Sequence, residues 1–177
     1  MEASECIKTR RSTRKYADRP VDTALVEKLV QEAQCAPSWK NAQTTRFTAA
    51  MSEQARGQVR DAMPDFNRRS TEKAPVYVVF SAVTHRVGYE RDGSATTPLG
   101  EGYTFFDCGA TVQTFCLAAH AAGLATLIMG IFDPDKLRAA VNIPENEVPV
   151  VVVALGYAED TPQMPKRRAL DEVLRGV

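Results

Sequence analysis

Two long apolar runs constrain the fold of this chain more than any other feature. Residues 75–83 read PVYVVFSAV and residues 149–157 read PVVVVALGY. Both runs are rich in β-branched residues and carry almost no polar side chains, which is typical of strands covered on both faces. They therefore predict interior strands of one sheet, flanked by helices.

Helical periodicity accounts for much of the remaining chain. Asp22 stands where an N-cap belongs, and apolar residues then recur at helical spacing as far as Ala33, before Pro37. Further helices are predicted over 3–9, from Ser52 to about 63, over 104–122 and, behind Asp133, over 134–141, with weaker strands at 46–51 and 125–131. Because no regular βαβ units appear, we predict an α+β domain spanning residues 1–177.

The helix predicted over 104–122 is expected to be buried, with Phe105 and Phe106 on its apolar face. Gly109 and several alanines give it a surface of small residues. Such a surface permits close approach of another helix, either in the core or across a dimer interface. Gly123 is well placed to end the helix.

The charge balance is even, with 22 Lys and Arg against 22 Asp and Glu. Proteins that bind nucleic acids usually carry a basic excess, so we expect no nucleic-acid partner. No apolar stretch approaches the roughly 20 residues of a membrane span, and the first residues lack the apolar core of a secretory signal. The four cysteines form no CxxC pair. We therefore expect reduced thiols, a cytoplasmic location and no metal site.

Several familiar catalytic motifs are missing from the sequence. There is no GxGxxG after a strand, no GxxxxGK[ST] and no GxSxG. No pair of carboxylates and no Ser/His/Asp set stands out. If the protein is an enzyme, a bound cofactor is expected to carry the chemistry.

Basic side chains are concentrated in two segments. Residues 1–20 hold six Lys and Arg, and residues 166–168 read KRR. A phosphate monoester matches the charge and the forked geometry of guanidinium groups. One interpretation is that Arg10 and Ser12 converge on a phosphate together with a cation from residues 166–168, in the C-terminal tail. The other is that the two segments are solvated basic turns that never meet.

The segment APSWKNAQ at 36–43 follows the helix that begins after Asp22. Its Ser, Asn and Gln side chains offer both donors and acceptors, which suits a flat heterocycle such as the pyrimidine end of a flavin. The alternative is an ordinary loop between helices, in which these side chains bond to nearby backbone.

Three segments occur in one order along the chain: RRSTRKY at 10–16, APSWKNAQ at 36–43, and GY at 156–157 followed by PKRRAL at 165–170. They resemble the nitroreductase family of FMN-dependent oxidoreductases, whose patterns are roughly RRSxRxF, APSxxNxQPW and a closing GYP…KxR. The similarity runs nearly end to end.

The resemblance implies a mostly antiparallel sheet flanked by helices, in an intertwined homodimer. Two FMN molecules would lie in clefts at the dimer interface. Arg10 and Ser12 would hold the FMN phosphate. Lys166 and either Arg167 or Arg168 would complete that site from the tail.

The same resemblance implies contacts to the flavin ring. Arg14 would reach the N1/O2 edge, and residues 37–39 would pack on the ring from the partner subunit. Asn67 would touch the flavin, and backbone at 129–130 would lie beside the ring. The implied cofactor-binding residues are Arg10, Arg11, Ser12, Arg14, Pro37, Ser38, Trp39, Asn41, Gln43, Asn67, Met129, Gly130, Lys166, Arg167 and Arg168.

The resemblance further implies a ping-pong enzyme in which NAD(P)H delivers hydride to flavin N5 and a nitroaromatic, quinone or similar acceptor is then reduced. Two departures concern the substrate: Thr44-Thr45 replaces the usual Pro-Trp, and Trp39 replaces a small residue. They motivate an alternative, an FMN-binding sensor or carrier without efficient turnover. Another flavin chemistry on the same scaffold, such as reductive dehalogenation or flavin fragmentation, is a further alternative.

Overall fold

The computed structural model describes residues 1–176. The elements in this part of the chain are α1 Ala3–Thr9, α2 Thr23–Ala33, a 3-10 turn at Trp39–Asn41, β1 Thr45–Ala50, α3 Glu53–Asp61, α4 Asp65–Ser70, β2 Val76–Val83, α5 Gly102–Ala121, β3 Ala125–Met129, α6 Pro134–Val141, β4 Glu147–Gly156 and α7 Leu170–Val173. None of these helices combines the length and apolar character that a membrane-spanning helix needs.

The four strands form one antiparallel sheet in the order β1-β2-β4-β3. Val153 of β4 pairs with Val78 on one side and with Ile128 on the other. The two apolar runs are therefore the interior strands, as their composition predicts. β3 lies at one edge of the sheet, and this edge positions the candidate site.

Helices cover both faces of the sheet. On one face α2 and α5 pack on a core that includes Phe80 and Phe115, whose rings meet edge to face 5.4 Å apart. On the other face α3 and α6 cover a second core, which includes Tyr77 and Leu137. This arrangement confirms the predicted α+β class and the antiparallel sheet.

Three of the predicted helix starts are confirmed by their caps. Asp22 and Ser52 accept the backbone N–H groups of Ala24 and Ala55. Asp133 does the same for the first turn of α6. Each acceptor satisfies an N–H group that the helix itself leaves without a partner.

Two features of the helices differ from the prediction. α4 was not predicted, because its six residues, DFNRRS, contain a single apolar side chain and so show no periodicity. Phe105 and Phe106 are exposed rather than buried, with 45% and 68% of their surface accessible. The buried face of α5 instead runs through Cys108, Phe115 and Cys116, and the two phenylalanines point away from it.

Candidate flavin site

Residues 12–17 run along the ends of β3 and β4 and are fixed by their backbone. The Thr13 N–H donates to the Thr126 carbonyl at 3.0 Å, and Ser12 pairs with Thr126 as a short parallel bridge. The buried hydroxyl of Tyr16 lies 3.0 Å from the Thr13 carbonyl and 3.3 Å from that of Ala154. Because Tyr16 and Thr13 face the protein, the segment cannot rotate freely.

This anchoring determines which side chains of the basic segment are available. Thr13 is buried, whereas Ser12 and Arg14 on either side of it are exposed, since alternate residues of an extended segment share a face. Arg10 is half-buried at the end of α1. Arg11 behaves differently, because its guanidinium donates to the carbonyls of Lys8 and Arg10 at 2.6 and 2.9 Å. Its charge therefore caps α1.

A cavity of about 250 Å³ adjoins Arg10 and Arg11, between the ends of α1 and α5. His120, in the last turn of α5, lines this cavity. Its Nε2 is hydrogen-bonded to the Thr9 hydroxyl at 2.8 Å. Burial, together with the positive charges of Arg10 and Arg11, lowers the pKa of the His120 imidazole below its ordinary value. Arg10 and Arg11 place positive charge on one side of the cavity and Asp160 lies on its lining as well, and an anion bound beside the arginines would favour protonated His120.

The far end of β3 brings together a second group of predicted residues. Asn67 is 8% exposed and lies in α4, and its amide nitrogen is 3.4 Å from the Ile131 carbonyl. Met129 is buried at the end of the strand, and Gly130 follows it at the surface. A Cβ added to Gly130 would meet no atom within 4 Å. This corner is therefore open to a flat ligand, with a buried amide beside it.

The segment 36–43 is held against the first turns of α5. The Trp39 N–H donates to the Asp107 carboxylate at 2.8 Å, and the Trp39 ring lies 4.3 Å from that of Tyr103. Lys40, Asn41 and Gln43 all have positive φ, a conformation that non-glycine residues seldom adopt. Pro37, Asn41 and Gln43 are exposed and Ser38 and Trp39 half-buried, so the loop presents polar atoms to its surroundings.

One chain does not bring all the predicted residues together. The basic segment contacts α5 near His120. The segment 36–43, which we call the Trp39 loop, contacts the same helix at Asp107. Thirteen residues separate these points, which is about 20 Å at 1.5 Å per residue. The loop and the basic segment of a single chain therefore lie towards opposite ends of α5.

The start of the tail is bonded to the basic segment, but its KRR triplet stands apart. Glu159 donates its N–H to the Lys15 carbonyl, and Lys15 pairs with Asp160 at 3.3 Å. Residues 163–176 of the tail are exposed. Within residues 1–176 no hydrogen bond or ion pair joins the KRR triplet, Lys166, Arg167 and Arg168, to residues 10–14.

Neither His120 nor Asp107 is among the site residues that the sequence predicts. Asp107 had a recognisable signal, because it is the one acidic residue of α5 and falls on the helix's buried face. His120 had none, since its position beside the arginines depends on how α1 and α5 pack.

The residues present fit FMN. Among the described residues, Arg10 and Arg14 form no ion pair with a carboxylate, and Ser12 presents a hydroxyl beside them. Guanidinium and hydroxyl donors are the groups that bind a phosphate monoester. Beyond Thr126 the outer edge of β3 has no strand beside it in residues 1–176, so its peptide groups can meet the polar edge of a ring.

Comparisons with known proteins place the sequence in one family. A model of the nitroreductase family matches residues 7–157. The chain is 28% identical to a Methanothermobacter thermautotrophicus protein named "Putative NADH dehydrogenase/NAD(P)H nitroreductase", over 92% of this chain and 80% of that one. It is 26% identical to the NADH dehydrogenase of Thermus thermophilus, over 98% and 95% of the two chains.

Solved structures share the fold. A nitroreductase family protein from Clostridium difficile superposes with a TM-score of 0.82 at 25% identity, covering 99% of this chain and 98% of that one. An Exiguobacterium sibiricum protein solved in complex with FMN gives a TM-score of 0.88 at 20% identity, covering 100% and 98%. Since the family model covers most of the sequence and the fold agrees throughout, the chain belongs to the nitroreductase family, a family of oxidoreductases.

Proposed function

We propose that this protein is an FMN-dependent oxidoreductase that takes electrons from NAD(P)H and passes them to a small organic acceptor. The main support for this proposal is the arrangement of residues along the outer edge of β3. The outward-facing basic segment lies at one end of this edge, and Asn67 and Gly130 lie at the other. About four residues, or roughly 13 Å of strand, separate Thr126 from Gly130. The name of the Methanothermobacter relative and the FMN in the Exiguobacterium structure support the same assignment.

The phosphate of FMN would lie beside Arg10 and Ser12. Arg10 offers a charged fork, and the exposed Ser12 offers a hydroxyl donor. Lys166 and either Arg167 or Arg168 would add charge from the exposed tail. The tail is tethered near this place by the Lys15–Asp160 pair, so only a short length of chain has to close over the phosphate.

The flavin ring would lie along β3 towards Gly130. When bound, FMN would supply the redox chemistry by accepting hydride from NAD(P)H and reducing a nitroaromatic, a quinone or a similar acceptor. Arg14 would place a positive charge beside the N1/O2 edge, where the reduced ring gathers negative charge. Asn67 would orient the ring, because its amide is held by the Ile131 carbonyl.

The separation along α5 supports a homodimer. Along α5, the contact of the Trp39 loop lies about 20 Å from that of the basic segment of the same chain, so a second copy would supply the loop to the flavin. Phe105 and Phe106 are exposed on α5, and the tail exposes Leu170, Val173 and Leu174. Exposed apolar side chains on one helix and one tail suit a surface that a second copy covers.

Steady-state turnover tests the proposed function. Protein loaded with FMN is mixed with NADH or NADPH, with and without 1,4-benzoquinone or nitrobenzene, and oxidation of the nicotinamide is followed by absorbance. We expect oxidation that depends on both FMN and the acceptor. An FMN carrier would bind flavin but show no acceptor-dependent rate, and that result would overturn the proposal.

A further inference from the structure

Asp107 is a buried carboxylate for which the proposed flavin contacts give no role. It is 3% exposed, and within residues 1–176 it forms no ion pair with a Lys, Arg or His. Burying a carboxylate without a counter-charge is costly unless hydrogen bonds compensate. Hydrogen bonds to Asp107 must therefore compensate for its burial.

The group that Asp107 holds is the backbone of Trp39. Its Oδ2 accepts the Trp39 N–H at 2.8 Å, linking α5 to a loop 68 residues earlier. A hydrogen bond to a carboxylate is stronger than one between neutral groups. The bond lies at the start of the 3-10 turn, directly before the left-handed residues Lys40 and Asn41.

The left-handed backbone explains why the loop needs this bond. Non-glycine residues seldom adopt that conformation without support from their surroundings, and three of them occur within four positions. Two local contacts help: Ser38 Oγ accepts the Gln43 N–H at 3.0 Å, and Gln43 Nε2 donates to Asn41 Oδ1 at 3.1 Å. Within residues 1–176, the bond to Asp107 is the one hydrogen bond that joins Trp39 to α5, and the ring contact to Tyr103 adds to it.

We infer that Asp107 is a positioning residue for the flavin ring, acting through Trp39. This inference rests on the proposed function. Asp107 fixes the shape of the segment 37–43, and that segment in turn covers the ring of the FMN held mainly by the partner subunit. Asp107 itself touches neither the ring nor the phosphate.

A positioning role for Asp107 predicts different effects on FMN and riboflavin binding from those of a phosphate-binding residue. The Trp39 loop is assigned to the ring, whereas Arg10 is assigned to the phosphate. Loss of Asp107 should therefore weaken FMN and riboflavin by the same factor, because riboflavin has the ring without the phosphate. Loss of Arg10 should weaken FMN alone.

The experiment uses the chain's single tryptophan as a reporter, because Trp39 is the one Trp in the sequence. The variants are Asp107→Ala, Asp107→Asn and a control, Asp22→Ala, which removes a carboxylate that accepts the Ala24 N–H at 2.9 Å on α2. Dissociation constants for FMN and riboflavin are measured by flavin fluorescence. The emission maximum of Trp39 is recorded without flavin.

For Asp107→Ala we expect about tenfold weaker binding of both flavins, the low end for losing a charge-assisted hydrogen bond. Its Trp39 emission should move to longer wavelength as the ring leaves Tyr103. Asp107→Asn keeps an oxygen acceptor and should stay within about threefold of wild type. Asp22→Ala should change neither flavin affinity nor emission.

Wild-type affinity for both flavins in Asp107→Ala, or unchanged Trp39 emission, would overturn the inference and leave the proposed function standing. A wild-type protein that binds no FMN would overturn both. If Asp107→Ala does not fold, Tyr103→Leu serves instead, because it removes the ring against which Trp39 packs at the half-buried surface of α5. Unchanged flavin affinity together with unchanged Trp39 emission in Tyr103→Leu would overturn the inference.

Discussion

Arg10 and Arg11 are adjacent in the sequence but have different partners in the structure. Both fit the basic pattern that predicted a phosphate site, and the sequence alone could not separate them. The difference arises because α1 ends at Thr9, which turns the Arg11 guanidinium back onto the last carbonyls of the helix. Ser12 and Arg14 face outwards because Thr13 and Tyr16 face inwards, an alternation that a sequence can suggest but not fix.

Arg10→Ala should lower the affinity for FMN by about 1.5–3 kcal/mol, the range for a hydrogen bond to a charged group. Arg11→Ala is the matched control. It removes the same charge at the adjacent position, but from a guanidinium that is already bonded to α1. We expect FMN affinity in that variant to stay within about threefold of wild type. Fluorescence titration with FMN measures both. A larger loss in Arg11→Ala than in Arg10→Ala would reverse the assignment.

Gly156 is a position where the fold requires the absence of a side chain. A Cβ there would lie 2.6 Å from Cδ of Pro75 and 3.0 Å from Cδ1 of buried Tyr16. Gly156→Ala should therefore lower the free energy of unfolding by about 1–3 kcal/mol, as overpacking does. Gly57→Ala, where the nearest atom is 4.0 Å away within α3, should raise it by about 0.5–1 kcal/mol. Urea denaturation tests both, and equal stability of the two variants would contradict the packing argument.

In α5, the sequence predicts the extent of the helix but not which of its faces is buried. Its length and its end at Gly123 were predictable, and Gly123 indeed has a φ of 79° and closes the helix through bonds to His120 and from Leu124 to Ala119. The direction of Phe105 and Phe106 was not predictable. A helix that is apolar nearly all round gives no signal for which side meets the core and which meets a second copy.

His120, in the last turn of α5, should make stability depend on pH. Its pKa in the folded protein is lowered from the ordinary 6.5, so the unfolded chain binds the proton more readily. The stability contribution is present above about pH 6.5 and is lost as the pH falls through the folded pKa. Between about pH 7.5 and 5.5, wild type should lose more free energy of unfolding than His120→Gln. Urea denaturation in phosphate-free buffer measures this, and equal losses would contradict it.

For the whole molecule, the sequence was sufficient for the α+β class and for the two interior strands, because their composition requires cover on both faces. The strand order was not predictable, since neighbouring runs of similar length pair equally well in several orders. The split of the candidate site also needed the structure. α1 packs near one end of α5 and the Trp39 loop packs near the other. This packing shows that the two halves of the candidate site lie apart within one chain.

Phe106→Glu tests the proposed dimer. Phe106 is 68% exposed on α5, and a two-fold interface would bury it in both copies. Losing both phenylalanines should weaken the dimer by roughly 3–6 kcal/mol. Ala139→Glu, an exposed position on α6 across the sheet, adds the same charge and should leave the dimer intact. Sedimentation measures mass; a Phe106→Glu variant that remains dimeric with full FMN affinity would contradict the interface.

The absorption spectrum of the purified protein after incubation with FMN and desalting tests the central claim most directly. We predict a yellow protein with one FMN per chain, released as FMN rather than riboflavin on denaturation. In Arg10→Ala the retained flavin should fall. A wild-type protein that stays colourless, having taken up no flavin, would contradict the account.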